Sequence, residues 1–134
     1  MEVFRTNLFL LLIVCASSGY GAEVRLANGD RYIGDVADGV LSGKGTYIWS
    51  GGDRYTGSFA NDQPDGLGTY NWVDGRVYEG QFSNGIREGQ GQLRWANGDI
   101  YQGAFAANAM HGSGTFVWAN KDCLLYTSDA ADDS

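Results

Sequence analysis

Cysteine, histidine and basic residues are scarce in this chain, and each shortage removes a class of chemistry. The two cysteines, Cys15 and Cys123, lie outside the stretch that carries the regular pattern of the sequence. That stretch therefore has no disulfide and no thiolate metal site. His111 is the single histidine. It reads as an exposed turn residue beside Gly112, without the partners that a metal site or an activated nucleophile needs. Nine lysines and arginines stand against 16 aspartates and glutamates, a net charge of −7. Such a balance disfavours nucleic acid and anionic membranes as electrostatic partners. Long apolar runs are missing too. Leu8–Val14 is the apolar run near the start, well short of the roughly 20 residues that cross a bilayer.

Both ends differ in character from the middle. Residues 1–22 open with a short polar start that contains Arg5, continue through the apolar run and end in small residues (Ala16, Ser17, Ser18, Gly19, Gly21, Ala22), the layout of a secretory signal peptide. Cleavage is expected after Ser18, Gly19 or Gly21, because Tyr20 is too bulky for the position three residues before a cut at Ala22. Residues 123–134, from Cys123-Leu124-Leu125-Tyr126 onward, resemble a translated sequencing adapter, and are expected to be a non-native tail on a longer protein. Between them, residues 23–122 carry 12 acidic and 8 basic residues, a net charge of −4.

The middle is periodic. Tyr32, Tyr55, Tyr78 and Tyr101 recur every 23 residues, each followed two residues later by glycine. The pairs Gly43/Gly45, Gly66/Gly68, Gly89/Gly91 and Gly112/Gly114 keep the same step, as do Trp49, Trp72, Trp95 and Trp118. This divides the chain into repeats 32–54, 55–77, 78–100 and 101–122, with a half-repeat before them from Val24 to Asp30. Each repeat reads as two strands. Tyr55–Phe59 and Gly66–Trp72 alternate apolar and polar residues, and the links between strands are rich in turn formers such as Asn61–Asp65, Asn84-Gly85 and Asn97-Gly98. One face gathers Tyr55, Gly57 and Phe59 with Gly66, Gly68, Tyr70 and Trp72, and its glycines leave room for rings over bare backbone. The other face carries Thr56, Ser58, Thr69 and Asn71.

The pattern Tyr-x-Gly-x-aromatic, Gly-x-Gly, aromatic and turn glycine, written here as Tyr55…Gly57…Phe59…Gly66…Gly68…Trp72…Gly75, resembles the MORN repeat (membrane occupation and recognition nexus). The departures are Val36 in place of an aromatic and Lys121 in place of the turn glycine. The resemblance implies an all-β fold: an elongated solenoid of antiparallel β-hairpins, one twisted meander sheet about 10 Å long per repeat. It also implies protein–protein scaffolding, sometimes phospholipid contact, and accessory arrays beside enzymatic domains.

No catalytic group, cofactor or metal is expected. Gly43-Lys44-Gly45 lacks the third glycine and the helix of a dinucleotide loop. Asp30, Asp53, Asp74 and Asp99 read as solvated turn residues, too few at each turn to ligate calcium. The reading is a non-enzymatic scaffold for protein–protein interaction, secreted or in the cell envelope, with membrane association as the alternative. The competing readings are a lipid- or glycan-contacting module and the accessory array of a longer protein. The candidate binding face is the aromatic set Tyr32, Tyr47, Trp49, Tyr55, Phe59, Tyr70, Trp72, Tyr78, Phe82, Trp95, Tyr101, Phe105, Phe116 and Trp118, most of which would be core. Expected partners are a protein, or a second copy joined through strand edges, with the edge from Gly114 to Trp118 left open; nucleic acid is not expected and membrane contact is not favoured. At the far end, source DNA read across residue 123 is expected to encode an aromatic residue at position 124 and glycine two residues later. A native frame retaining Cys-Leu-Leu-Tyr-Thr-Ser there would rule the tail reading out.

Overall fold

The computed structural model describes residues 11–16, 22–120 and 123–128. Expectations that fall on residues 1–10, 17–21, 121–122 and 129–134, the turn at Lys121 among them, lie outside the described residues. Eleven strands form one antiparallel sheet in which spatial order follows chain order. They are β1 (Leu11–Ala16), β2 (Ala22–Leu26), β3 (Arg31–Ala37), β4 (Val40–Ile48), β5 (Arg54–Ala60), β6 (Gln63–Asn71), β7 (Val77–Ser83), β8 (Ile86–Arg94), β9 (Ile100–Ala106), β10 (Ala109–Val117) and β11 (Cys123–Ser128). The apolar Leu11–Ala16 run, placed in the leader on sequence grounds, pairs with β2 here. A leader is recognised by the same apolar, β-branched character that lets a segment pair as a strand.

The hairpins within repeats are tighter than the sequence suggested. Asp38 and Gly39, Asn61 and Asp62, Asn84 and Gly85, and Ala107 and Asn108 all have positive φ. Two such residues in succession make the turn whose twist matches that of the flanking strands. The link expected over Asn61–Asp65 is therefore only Asn61-Asp62, and β6 begins at Gln63.

Register aligns like with like. Gly34, Gly45, Gly57, Gly68, Gly80, Gly91, Gly103 and Gly114 face one another in turn across β3 to β10. Beside this glycine row runs a second one: Tyr32, Tyr47, Tyr55, Tyr70, Tyr78, Leu93, Tyr101 and Phe116. The two glycines of each Gly-x-Gly serve different ends. A Cβ on Gly68 would overlap the Tyr55 ring, which lies directly on it. Gly66 sits instead in a bulge, at φ 103, where Asp65, Gly66 and Leu67 stand opposite Ser58 alone. The expectation that both glycines clear space for rings holds only for the second; the first is needed for its backbone.

The bulge explains where the phenol goes. Tyr55 Oη donates to the carbonyl of Ser58, the lone residue opposite the bulge, at 2.8 Å. Tyr32 does the same to Asp35 (2.7 Å), Tyr78 to Gln81 (2.8 Å) and Tyr101 to Ala104 (3.0 Å). All four tyrosines are 0% exposed, so each hydroxyl requires such a partner. The phenylalanines link the repeats. Phe59 meets Tyr32 and Tyr55 edge-on at 5.1 and 5.2 Å, Phe82 meets Tyr55 and Tyr78 at 4.9 and 5.1 Å, and Phe105 meets Tyr78 and Tyr101 at 4.9 and 5.3 Å. One unbroken zigzag of rings thus runs through all four repeats on one face of the sheet.

Two other expectations are corrected. The edge of β10 is not open: Gly112–Val117 pair with Cys123–Ser128, because β11 returns along it and satisfies its backbone groups. Leu124, opposite Phe116, takes the register place of a fifth tyrosine. His111 is half-buried within β10, not in a turn, because the preceding turn closes at Ala107-Asn108.

Gly68→Ala is expected to destabilise the protein by about 1–3 kcal/mol or more through overpacking. Gly51→Ala, whose Cβ would meet nothing within 4 Å, should stay within about 0.5 kcal/mol. Urea melts compare the two, and equal effects would contradict the ring-on-glycine packing. Burial also pushes the Tyr78 phenol up to about 12 against the pull of Arg87, and raises those of Tyr32 and Tyr55. A folded-state value above the unfolded one, about 10, favours the protonated fold. This stability is complete below pH 10 and is lost as pH rises through the folded values. Tyrosinate absorbance and loss of β ellipticity should therefore appear together in alkaline titration. Ionisation that finishes with the sheet intact would refute the burial.

Candidate functional site

The structure sorts the candidate aromatic residues into core and rim. Tyr32, Tyr47, Tyr55, Phe59, Tyr70, Tyr78, Phe82, Tyr101 and Phe105 are buried, while Trp49, Trp72, Trp95 and Phe116 are half-buried against them. Trp118 is the most open, 37% exposed. The indoles stand just past the ends of β4, β6, β8 and β10, where the chain leaves the sheet for a turn, so each has one side on the core and one toward solvent. They and their neighbours form a second column of rings: Tyr47 to Trp49 at 4.7 Å, Trp49 to Tyr70 at 5.2 Å and Tyr70 to Trp72 at 4.5 Å. The column breaks at Leu93 and resumes with Trp95, Phe116 and Trp118 at 5.8 and 5.1 Å.

Asp30, Asp53 and Asp99 are structural, which corrects their reading as solvated turn residues. Asp30 is 6% exposed. It accepts hydrogen bonds from Tyr47 Oη at 2.7 Å and from the backbone N–H of Ser50 at 2.8 Å. Asp53 accepts from Tyr70 Oη and Val73 N–H, both at 2.8 Å. Asp99 accepts from Ala119 N–H at 2.8 Å, with Phe116 in place of the tyrosine. Each carboxylate thus staples its turn to the next turn along the sheet. Burial and the aspartate neighbour both raise the Tyr47 and Tyr70 phenols. In this phase the third residue is Arg76, not Asp74. Asp74 is exposed and pairs with Arg76 at 3.0 Å, and the backbone N–H of Arg76, first among the causes, lowers its pKa.

A second clamp works at the other ends of the hairpins. Asp62 Oδ1 accepts from Leu41 N–H at 2.8 Å, and Asn108 Oδ1 accepts from Arg87 N–H at 2.9 Å. Between these two the same place holds Pro64, which has no N–H, opposite Gly85, which has no side chain. Donor and acceptor are dropped together.

Arg76 and Arg87 were missed from sequence. The Arg87 guanidinium lies 5.4, 5.8 and 5.6 Å from the ring centres of Trp72, Tyr78 and Phe105. It donates to the Asn108 carbonyl at 2.6 Å. Arg76 lies over the Trp72 ring at 4.5 Å. Burial lowers the Arg87 pKa, and the Arg76 charge lowers it further. The sequence signal was the break in phase: Arg76 among Asp30, Asp53 and Asp99, and Leu93 in a column otherwise aromatic. Among the described residues no group of three or more histidines, cysteines, aspartates and glutamates is placed to hold a metal, and no helix is long and apolar enough to cross a membrane.

Comparison with known proteins agrees with this architecture. The MORN repeat family matches residues 32–54, 55–75, 78–100 and 101–123. A search of curated proteins gave no significant match. Repeats of this family are non-catalytic scaffolds that generally mediate protein or membrane interactions. Four consecutive matches across the sheet establish that the chain belongs to the MORN repeat family.

Proposed function

We propose that the chain is a non-enzymatic scaffold that engages a protein partner outside the cytoplasm, through the tryptophan rim and the outer strands of its sheet. The observation that carries this reading is a division of labour among the aromatic residues. The tyrosines and phenylalanines close the core, while Trp49, Trp72, Trp95 and Trp118 remain at least partly open along one side at 23-residue spacing. Indole rings that are half-covered and half-wet are the groups that most often anchor protein interfaces. The leader-like residues 1–22 support export. A membrane surface is the weaker partner, because attraction to anionic lipid gains about 1 kcal/mol per basic residue and residues 23–122 carry an acidic excess of 4. With residues 1–22 removed on export, β2 becomes the outer strand at that end, and an outer strand of an open sheet is a template for pairing with another chain.

Co-sedimentation with phosphatidylserine vesicles at moderate salt, beside size-exclusion light scattering, tests this reading. Little vesicle binding and a mass above the monomer are expected. Strong, salt-sensitive vesicle binding by a strictly monomeric protein would replace the protein-scaffold reading with a lipid-binding one.

A further inference from the structure

We propose that the outer edge of β2 is the surface through which two copies of the exported chain pair, antiparallel and centred on Val24, into one continuous sheet. This deepens the scaffold reading and rests on its export step, which removes the strand seated on that edge. β1 lies antiparallel along β2, with Ile13 opposite Val24. It belongs to the leader-like residues 1–22, so cleavage after Ser18, Gly19 or Gly21 takes it away and leaves residues 23–26 in place. Among the described residues no other strand reaches that edge. The backbone groups on the outer side of β2 then lose their partners, and such an edge pairs readily with a further strand.

The residues of β2 select the strand that fits. Pairing with β1 sets Leu12 opposite Arg25 and Cys15 opposite Glu23, residues without a charge to answer them, and it needs an irregularity between Ile13 and Cys15. The sequence Glu23-Val24-Arg25 answers itself. In two copies running antiparallel about Val24, Glu23 stands opposite Arg25 of the second copy, Arg25 opposite its Glu23, and Val24 opposite its Val24. Residues directly opposite lie on one face with Cβ atoms about 4.5–5.5 Å apart, within reach of an ion pair. A single copy leaves Arg25 poorly matched: it stands opposite Arg31 across β2 and β3, and the two share Glu23, at 3.0 and 3.5 Å. In the pair, Arg25 has a second carboxylate on its other side. The two-fold axis of an antiparallel pair is perpendicular to the sheet, so both aromatic faces stay on one side. Val24, 1% exposed and opposite Tyr32 in the ring row, carries that row into the second copy. Exposed ion pairs are individually weak. Here they fix the register and select a like strand, while the ladder bonds and the apolar contact of Val24 hold it.

The test uses the processed chain recovered from an exporting host, its N-terminus read by mass spectrometry, in light scattering over a concentration series at low salt. A dimer is expected. Glu23→Arg sets arginines opposite arginines at both pairs, and Arg25→Glu sets glutamates opposite glutamates. Each change alone should weaken dimerisation at least about tenfold, ~1.4 kcal/mol. An equimolar mixture of the two variants should dimerise again, because every opposite pair then joins an arginine to a glutamate. The chain carrying both changes should dimerise by itself for the same reason. Thermal melts at low concentration check folding. Should Glu23→Arg melt early through the crowding of three arginines, Arg25→Glu compared with the double change carries the test. A processed chain that stays monomeric, a dimer indifferent to both single changes, or a mixture no larger than its components overturns the pairing. An exported chain that retains Leu11–Ala16 overturns it as well. Each of these leaves the vesicle arm, which decides between scaffold and lipid binding, to be read separately.

Discussion

A tyrosine ring laid flat on a glycine of the neighbouring strand is the contact on which this fold depends. The ring can lie there only because Gly45, Gly68, Gly91 and Gly114 carry no side chain, and its hydroxyl can be buried only because a bulge two residues away frees a carbonyl to accept it. The bulge in turn needs a glycine of its own in a left-handed conformation. Once the ring is seated, its edge meets the phenylalanine of the same repeat and the next one along. The spacing of Tyr, Gly and Phe in the sequence thus describes one device repeated four times. A single layer of sheet gains a core this way because the rings lie down along it instead of standing toward a second layer.

Coupling between repeats is carried at three levels: the ring zigzag through the middle, the aspartate staples at one end of the hairpins, and the Asp62 and Asn108 clamps at the other. In such arrays stability is shared between nearest neighbours, so the evenness of the coupling matters. It is not even. At the junction of the second and third repeats the staple, the clamp and the tryptophan column are all interrupted, while the tyrosine–phenylalanine zigzag and the backbone bond from Gly85 to the Pro64 carbonyl continue. The same place carries the two stacked arginines. Side-chain coupling and sequence identity depart from the repeat together.

Much of this was legible in advance. The period, the two strands per repeat, the meander and the membership of the aromatic face all follow from alternation and spacing. The roles of the turn carboxylates did not, because their partners lie 17 to 20 residues away on the next hairpin and no local pattern points there. Counting Asp74 in place of Arg76 hid the break in phase. The Asn61-Asp62 turn was read too long because neither residue is glycine, although both accept positive φ. Pro64 falls inside β6 because the N–H it lacks would point to the next hairpin, where Gly85 offers nothing to accept it. The aromatic set divides into core and rim by position along the strand: residues within it are covered, and the indoles just past its end are not.

The paired loss at Pro64 and Gly85 has a consequence for how such a gene can change. Tandem repeats of equal length invite unequal recombination, and an array of identical units would tolerate any copy number. Here each hairpin is addressed to its neighbour. Excising residues 55–77 would set Gly85 against the N–H of Leu41 and leave that donor uncapped. Excising residues 78–100 would set the Asn108 carboxamide against Pro64, with no N–H to receive. Either product keeps the reading frame and the 23-residue period yet mismatches its new junction, so the order of the repeats is fixed by chemistry that the period does not reveal.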